Sequence, residues 1–173
     1  MTGRAVVRTA RLCLRPLAAG DEAALVAAIN DFEVARWLYF VPHPYGGRDF
    51  HEFLPSARPG EVWAIEDADG FAGMVANDGE IGYWLARRVW GRGYATEASG
   101  AVLAEHFADP VAGTVASAYF EGNGRSCSVL RKLGFQRAGH VLKTPVSRPG
   151  DVVLVYRMSL TRRAWQRIGS QPH

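Results

Sequence analysis

Two blocks of this chain combine residue types and spacings that can do chemistry. The first is Trp90-Gly91-Arg92-Gly93-Tyr94-Ala95-Thr96-Glu97-Ala98, which follows Glu80-Ile81-Gly82-Tyr83-Trp84-Leu85. The hexapeptide reads as a strand, and the residues after the glycines read as a helix from about Arg92 to Ala108. A strand, a glycine turn and a helix start make an anion-binding device. Two glycines let the backbone pass close to a ligand, and the first free N–H groups of the helix can point at phosphate oxygens. The second block is Glu121-Gly122-Asn123-Gly124-Arg125-Ser126-Cys127-Ser128-Val129-Leu130-Arg131-Lys132-Leu133-Gly134-Phe135. Asn123 suits a helix cap and Gly134 a helix end. Basic residues gather around both blocks: Arg87, Arg88 and Arg92, then Arg125, Arg131 and Lys132. As a group they suit a small polyanion; singly, each is as well explained as a solvated helix edge.

Other chemistries find little support. His43, His51, His106, His140 and His173 show no metal-ligand spacing, and His106 reads as a packed helix residue. No Ser-His-Asp or Cys-His arrangement is present. Cys13 and Cys127 lie in separate elements with no CxxC, so neither a disulfide frame nor a zinc site is expected, and a reducing cytoplasm is the expected compartment. The turn lacks the Gly-Lys-Ser/Thr of a nucleotide-phosphate loop, and its Gly-x-Gly-x-Ala disfavours a Rossmann dinucleotide site.

The elements that must position these blocks can be read in outline. Gly20-Asp21-Glu22 opens a helix with Ala24, Leu25, Ala28 and Ile29 on one face, and 32–40 reads as a second short helix. His43 to Gly47 is a loop, and 49–57 a further helix. Strands are expected at 62–65 and 71–76, joined to the Glu80–Leu85 strand by a tight turn at Asn77-Asp78-Gly79. So short a hairpin predicts clipped strands. The helix after the loop puts Ala95, Ala98, Val102 and His106 on one face, small enough to lie close to a sheet. A strand at 114–120, a helix at 124–133 and strands at 135–142 and 152–160 complete an α+β chain.

Composition bounds the rest. The chain has 173 residues, 48% of them hydrophobic, which fits a single domain over 1–173 with a proper core. The net charge of +3 is mild, and no basic stripe interleaved with aromatics suggests direct nucleic-acid binding. No apolar run reaches the ~20 residues of a membrane span. Arginines at 4, 8, 11 and 15, with no acid before Asp21, resemble a transit peptide, but Leu12 and Leu14 read as strand residues.

Taken together, the two blocks resemble the GNAT superfamily of acetyl-CoA-dependent N-acetyltransferases, in its RimJ/RimL-like branch. Its loop is Gln or Arg, two residues, Gly, one residue, then Gly or Ala. Trp90 stands in the first position, a departure familiar in this branch, with Gly93 fourth and Ala95 sixth. Thr9-Ala10-Arg11-Leu12-Cys13-Leu14-Arg15-Pro16-Leu17 resembles the family's first strand and 151–160 its last. The resemblance implies the GNAT acyl-CoA N-acyltransferase fold, a mixed, mostly antiparallel central sheet with splayed central strands and helices on both faces.

It further implies acetyl-CoA as co-substrate, with no metal. Backbone N–H groups of Gly91, Arg92, Gly93, Tyr94 and Ala95, beside Trp90, would hold the pyrophosphate. Trp84, Leu85 and Ala86 would line the gap for the pantetheine arm, the Leu85 N–H polarising the thioester carbonyl. Asn123 and Ser126 match positions near the sulfur, Asn123 equally serving as a cap. Glu80 is the first candidate for general base, although a strand-end acid facing solvent explains it equally well; Glu97 is second. Ser126 is the preferred proton donor to the thiolate and Tyr119 the alternative. The acceptor would be a protein N-terminus or a small-molecule amine, met by segments containing Trp37, Tyr39, Tyr45, Phe50 and 145–150. A homodimer is compatible with the resemblance. The competing reading is a catalytically silent acyl-CoA sensor of the same fold.

Overall fold

The computed structural model of this chain describes residues 5–169. Strands β1 (Val7–Arg8) and β2 (Cys13–Arg15) open the chain, followed by helices α1 (Glu22–Ile29), α2 (Phe32–Ala35) and α3 (Gly47–Phe53). Then come β3 (Val62–Asp67), β4 (Gly70–Asn77), β5 (Ile81–Leu85), α4 (Tyr94–Ala108), β6 (Val115–Phe120), α5 (Gly124–Lys132), β7 (Gln136–Lys143), β8 (Val153–Leu160) and α6 (Arg162–Gly169). The strands form two sheets. One is antiparallel in the order β1-β2-β3-β4-β5, the other antiparallel in the order β6-β8-β7. Among the described residues one parallel bridge, Glu80 with Ala116, joins them.

Period-2 alternation divides the core between the two faces. Trp63 and Ile65 of β3 point to one side and pack with Leu14, Val75, Ile81, Val102, Leu103, Leu130 and Leu160 under α4 and α5. Ala64 points to the other side, where Leu25, Ile29 and Phe50 of α1 and α3 cover it with Met74. Full burial of a side chain the size of Leu or Phe stabilises by roughly 1.5–3 kcal/mol, so helices as short as α1 and α3 are held by packing more than by propensity.

The structure corrects several sequence expectations. The segment 9–17 is not one strand. Thr9 to Leu12 turns the chain back on itself, with Thr9 N–H donating to the Leu12 carbonyl at 2.9 Å, and the strand becomes the hairpin β1–β2. The helix expected over 32–40 stops at Ala35. On α1 the inward residues are Leu25 and Ile29, while Ala24 is exposed. On α4 the buried face is Tyr94, Ala98, Ser99, Val102, Leu103 and Phe107; His106 lies at its edge, edge-on to the Phe107 ring. The short turn at 77–79 does not clip its strands: β4 has eight residues and β5 five. Helix α6 is not among the sequence expectations, although Ala164, Trp165 and Ile168 recur at helical spacing. Arg162 anchors it, donating to the Phe107 carbonyl at 2.6 Å and to the carbonyl of Asp109, so it closes the open end of α4.

The register places Gly73 opposite Leu85. A Cβ at Gly73 would lie 2.2 Å from the Trp84 carbonyl oxygen and 2.8 Å from Leu85 Cα, both backbone atoms that cannot swing aside. Glycine at this position is what lets β5 lie flat on β4 just where it must bend away from its other neighbour. Gly73→Ala is therefore expected to cost at least ~2 kcal/mol, read as a fall in Tm of roughly 5 °C or more in a thermal melt.

Candidate functional site

β5 has two edges and its backbone groups alternate between them. Ala86 N–H donates to the Ala72 carbonyl at 2.8 Å, which makes Trp84 and Gly82 the residues bonded to β4. The backbone groups of residues 79, 81, 83 and 85 therefore face β6. The first two are used: the Gly79 carbonyl accepts from Ala116 N–H at 2.9 Å, and the Ile81 carbonyl from the Ser117 hydroxyl at 2.9 Å. Beyond Ile81 the strands diverge, and among the described residues no backbone pairing joins β5 to β6 past the Glu80–Ala116 bridge. The Tyr83 and Leu85 N–H groups thus open onto a V-shaped cleft of about 1570 Å³.

The glycine loop crosses the wide end of this V. Gly91 and Gly93 both have φ of 79°, a left-handed conformation that favours glycine. Gly93 is the cap of α4 and no side chain caps that helix, so its first N–H groups point outward at the cleft with the positive end of the dipole behind them. The Trp90 indole N–H donates to the Leu85 carbonyl at 2.9 Å, and Arg125 of α5 stacks over the Trp90 ring at 4.2 Å. Tryptophan in the loop's first position so ties the loop to the strand end and to α5 at once.

Two ion pairs brace the loop from outside. Arg88 makes a two-pronged contact with Asp67, 2.9 Å on each arm, and also donates to the Phe71 carbonyl at 2.8 Å. These Arg88 bonds hold the Asp67 carboxyl below its ordinary pKa against the opposing effect of burial. On the other side, Glu97 accepts from the Thr9 hydroxyl at 2.6 Å, from Arg11 N–H at 3.0 Å and from Arg11 Nε at 2.7 Å. Arg11 reaches on to the Arg92 carbonyl at 2.9 Å and lies over the Tyr94 ring. Burial is the largest effect on Glu97 and pushes its pKa up, but the Thr9 and Arg11 donors together outweigh it and leave the carboxyl below its ordinary value.

Most residues singled out in the sequence meet in this cleft. Glu80, Trp84, Leu85, Trp90, Gly91, Gly93, Tyr94, Ala95, Tyr119, Asn123 and Ser126 all line it. Asn123 is a helix cap, its Oδ1 accepting from Ser126 N–H at 3.1 Å. Tyr119 of β6 stands opposite Tyr156 of β8, the ring centroids 5.2 Å apart, and the neighbouring Cys127 side chain raises the pKa of its hydroxyl. Three of the residues singled out lie elsewhere. Ala86 is buried with its N–H spent on Ala72, so it does not line the gap. Arg92 lies outside the cleft wall, its carbonyl held by Arg11 and its N–H 3.4 Å from the Val89 carbonyl. Glu97, the second candidate base, is consumed by Thr9 and Arg11. Of the basic group, Arg88 is spent on Asp67, and Arg87 pairs with Asp31 at 3.4 Å.

On the acceptor side, Tyr45 and Phe50 are core residues, whereas Trp37, Tyr39 and the exposed Phe40 wall the cleft. The loop at 145–150 does not line it; Val146 N–H instead donates to the Tyr39 carbonyl at 2.9 Å and steadies that wall. Sequence reading missed Tyr83, Arg11 and Asp67. Arg11 and Asp67 gave no local signal, because their partners are distant along the chain.

A model of the acetyltransferase (GNAT) domain matches residues 11–136. The chain belongs to the GNAT acetyltransferase family. Among its relatives in Bacillus subtilis (strain 168), the uncharacterized protein YkkB is 28% identical over 158 residues, spanning 83% of this chain and 92% of YkkB. The "putative ribosomal N-acetyltransferase YdaF" is 28% identical over 152 residues, spanning 79% and 82%. A solved spermidine N-acetyltransferase from Vibrio cholerae, in complex with CoA and spermine, superposes with a TM-score of 0.74 over 91% of this chain and 99% of that one, at 18% identity. The protein is an acetyl-CoA-dependent acetyltransferase, and the features above fit that co-substrate: left-handed glycines, an uncapped helix start and an open strand edge. Among the described residues no group of His, Cys, Asp or Glu is arranged to hold a metal, and no helix is long and apolar enough to cross a membrane.

The Glu97 brace yields a test with a definite sign. Its charge-assisted bonds are worth about 1–2 kcal/mol at pH 7, discounted for the half-exposed Arg11. Because the Glu97 pKa is lowered on folding, this stability is present above the ordinary carboxylate range, ~4.3, and is lost as pH falls through the folded-state value. Glu97→Gln is expected to lower Tm at pH 7 and to match the parent protein at strongly acid pH. It should also raise KM for acetyl-CoA several-fold at unchanged kcat, measured by release of CoA thiol.

Proposed function

We propose that this chain transfers the acetyl group of acetyl-CoA directly to the α-amino group of a protein or peptide N-terminus, with Glu80 as general base and Ser126 as partner of the departing sulfur. The observation that carries this reading is the contrast between the two candidate carboxylates. Glu97 is fully engaged, whereas among the described residues no ion pair or side-chain hydrogen bond engages the Glu80 carboxylate, which is exposed in the cleft where the two sheets part.

Acetyl-CoA supplies an activated acyl group on a thiol leaving group. The Leu85 N–H, which strand alternation turns away from β4, would stabilise charge developing on the carbonyl oxygen. Helix α4 and its glycines would hold the pyrophosphate. Glu80 would take a proton from the ammonium form of the acceptor, whose pKa of ~8 leaves most of it protonated at neutral pH. Similarity to YdaF supports a protein N-terminus as the acceptor. So does the lining of the cleft, which combines Trp37 and Phe40 as apolar wall with the acids Asp78 and Glu80, while Lys143 covers the Tyr39 ring at 4.3 Å.

Two measurements check this. Glu80→Gln is expected to lower kcat by about 10- to 100-fold at pH 7 while acetyl-CoA binds unchanged. The deficit should shrink above pH ~8, where the amine deprotonates unaided. Release of CoA thiol should be seen with N-terminal peptides. Turnover confined to small amines would replace the proposed acceptor by a metabolite, and no turnover with acetyl-CoA binding intact would favour an acyl-CoA sensor.

A further inference from the structure

Two hydroxyls meet on the wall of the cleft. Tyr83 Oη lies 3.1 Å from Ser126 Oγ and 3.4 Å from the Ser126 carbonyl oxygen. Tyr83 comes from the part of β5 that has parted from β6, and its ring packs against the core under α4 and α5. Ser126 stands in the first turn of α5, where the Asn123 cap fixes its backbone. Both line the cleft. The contact therefore bridges β5 and α5 across the cleft, between residues far apart in sequence.

The direction of this bond decides where the serine hydrogen points. A phenol is a stronger acid than an alkyl alcohol, and the alcohol oxygen is the better acceptor, so the preferred arrangement has Tyr83 donating and Ser126 Oγ accepting. Of the two acceptors in reach, Oγ is the nearer. A serine hydroxyl has one hydrogen on a free rotor; once its oxygen accepts from Tyr83, that hydrogen must turn elsewhere. Burial pushes the Tyr83 pKa up to about 12, so the phenol keeps its proton through the working range.

We propose that Tyr83 is a positioning residue for Ser126: its O–H donates to Ser126 Oγ and turns the serine's own hydrogen into the cleft, toward the sulfur that leaves. The inference rests on the reading of Ser126 as the sulfur's partner. As the C–N bond forms and the C–S bond breaks, the electron pair of the C–S bond goes to sulfur. The Ser126 hydrogen stabilises that thiolate by a hydrogen bond, and the Tyr83 donor strengthens it by polarising Oγ. Neither hydroxyl ionises. The amine's proton passes to Glu80 and on to solvent, and solvent returns one to the thiolate, so protons balance.

The test is a double-mutant cycle on kcat, with KM for acetyl-CoA and Tm measured alongside. Ser126→Ala and Tyr83→Phe are each expected to lower kcat by about five- to tenfold, the loss of one hydrogen bond, with KM within about twofold. The double variant should be no slower than Ser126→Ala alone, because Tyr83 acts only through that hydroxyl. Ser126→Thr should keep most of kcat while Tyr83 is present and lose it in the Tyr83→Phe background. Tyr83→Phe keeps the ring in its packing and removes one hydroxyl, so its Tm is expected to stay close to that of the parent protein. Full kcat in the Tyr83 variant, or losses that multiply in the double variant, would overturn the proposal while leaving the role of Ser126 standing. Full kcat in Ser126→Ala would overturn both.

Discussion

β5 is hydrogen-bonded on both edges at its start and on one edge at its end, and the place where that change occurs governs the rest of the molecule. Gly79 and Ile81 spend their outward carbonyls on β6; Tyr83 and Leu85 do not. A strand that simply ended there would leave backbone polar groups open to water at no gain. Here the open edge faces a cleft walled by side chains from both sheets, which converts an interrupted ladder into a lined slot for an extended ligand. The sheet is two pieces for this reason, and the five-stranded piece must be rigid up to its last strand. Gly73, pressed against the Trp84 carbonyl, is part of how that rigidity is kept.

The glycine loop has the opposite problem. Two left-handed glycines with one residue between them and an uncapped helix start are permissive, and a permissive loop holds a ligand poorly unless something else fixes it. Three contacts do so from three directions. Asp67 and the Phe71 carbonyl take Arg88, Glu97 takes Arg11 and through it the Arg92 carbonyl, and the Leu85 carbonyl takes the Trp90 indole. The first sits on β3 and β4, the second on the β1–β2 turn, the third on β5. The five-stranded sheet thus grips the loop along its whole breadth, which explains why two strands as short as β1 and β2 matter to a site they never enter.

What could be read from residue order was whatever depends on neighbours. The Gly-x-Gly turn between strand and helix, the Asn123 cap, the Asn77-Asp78-Gly79 turn and the periodicity of α4 are local, because caps and turns are set by bonds over two to four residues. They sufficed to outline the family, most of the elements and part of the cleft wall. The breaks came where a distant partner overrode the local pattern. Glu97 looks free in a first helical turn, yet Thr9 and Arg11 reach it from the β1–β2 turn. Ala86 looks like part of the gap lining until its pairing with Ala72 is seen.

The sequence by itself determined that a helix start with two glycines would offer backbone N–H groups to an anion, and that a carboxylate and hydroxyls would stand near it. Tertiary structure alone decided which of them are available. Hydrogen bonds and ion pairs in a folded chain form between side chains brought together by packing, at separations in sequence that no local rule encodes. So the same fold that leaves Glu80 unpaired also buries Glu97 in donors. It also brings Tyr83, a residue that reads as plain strand, to the hydroxyl of Ser126.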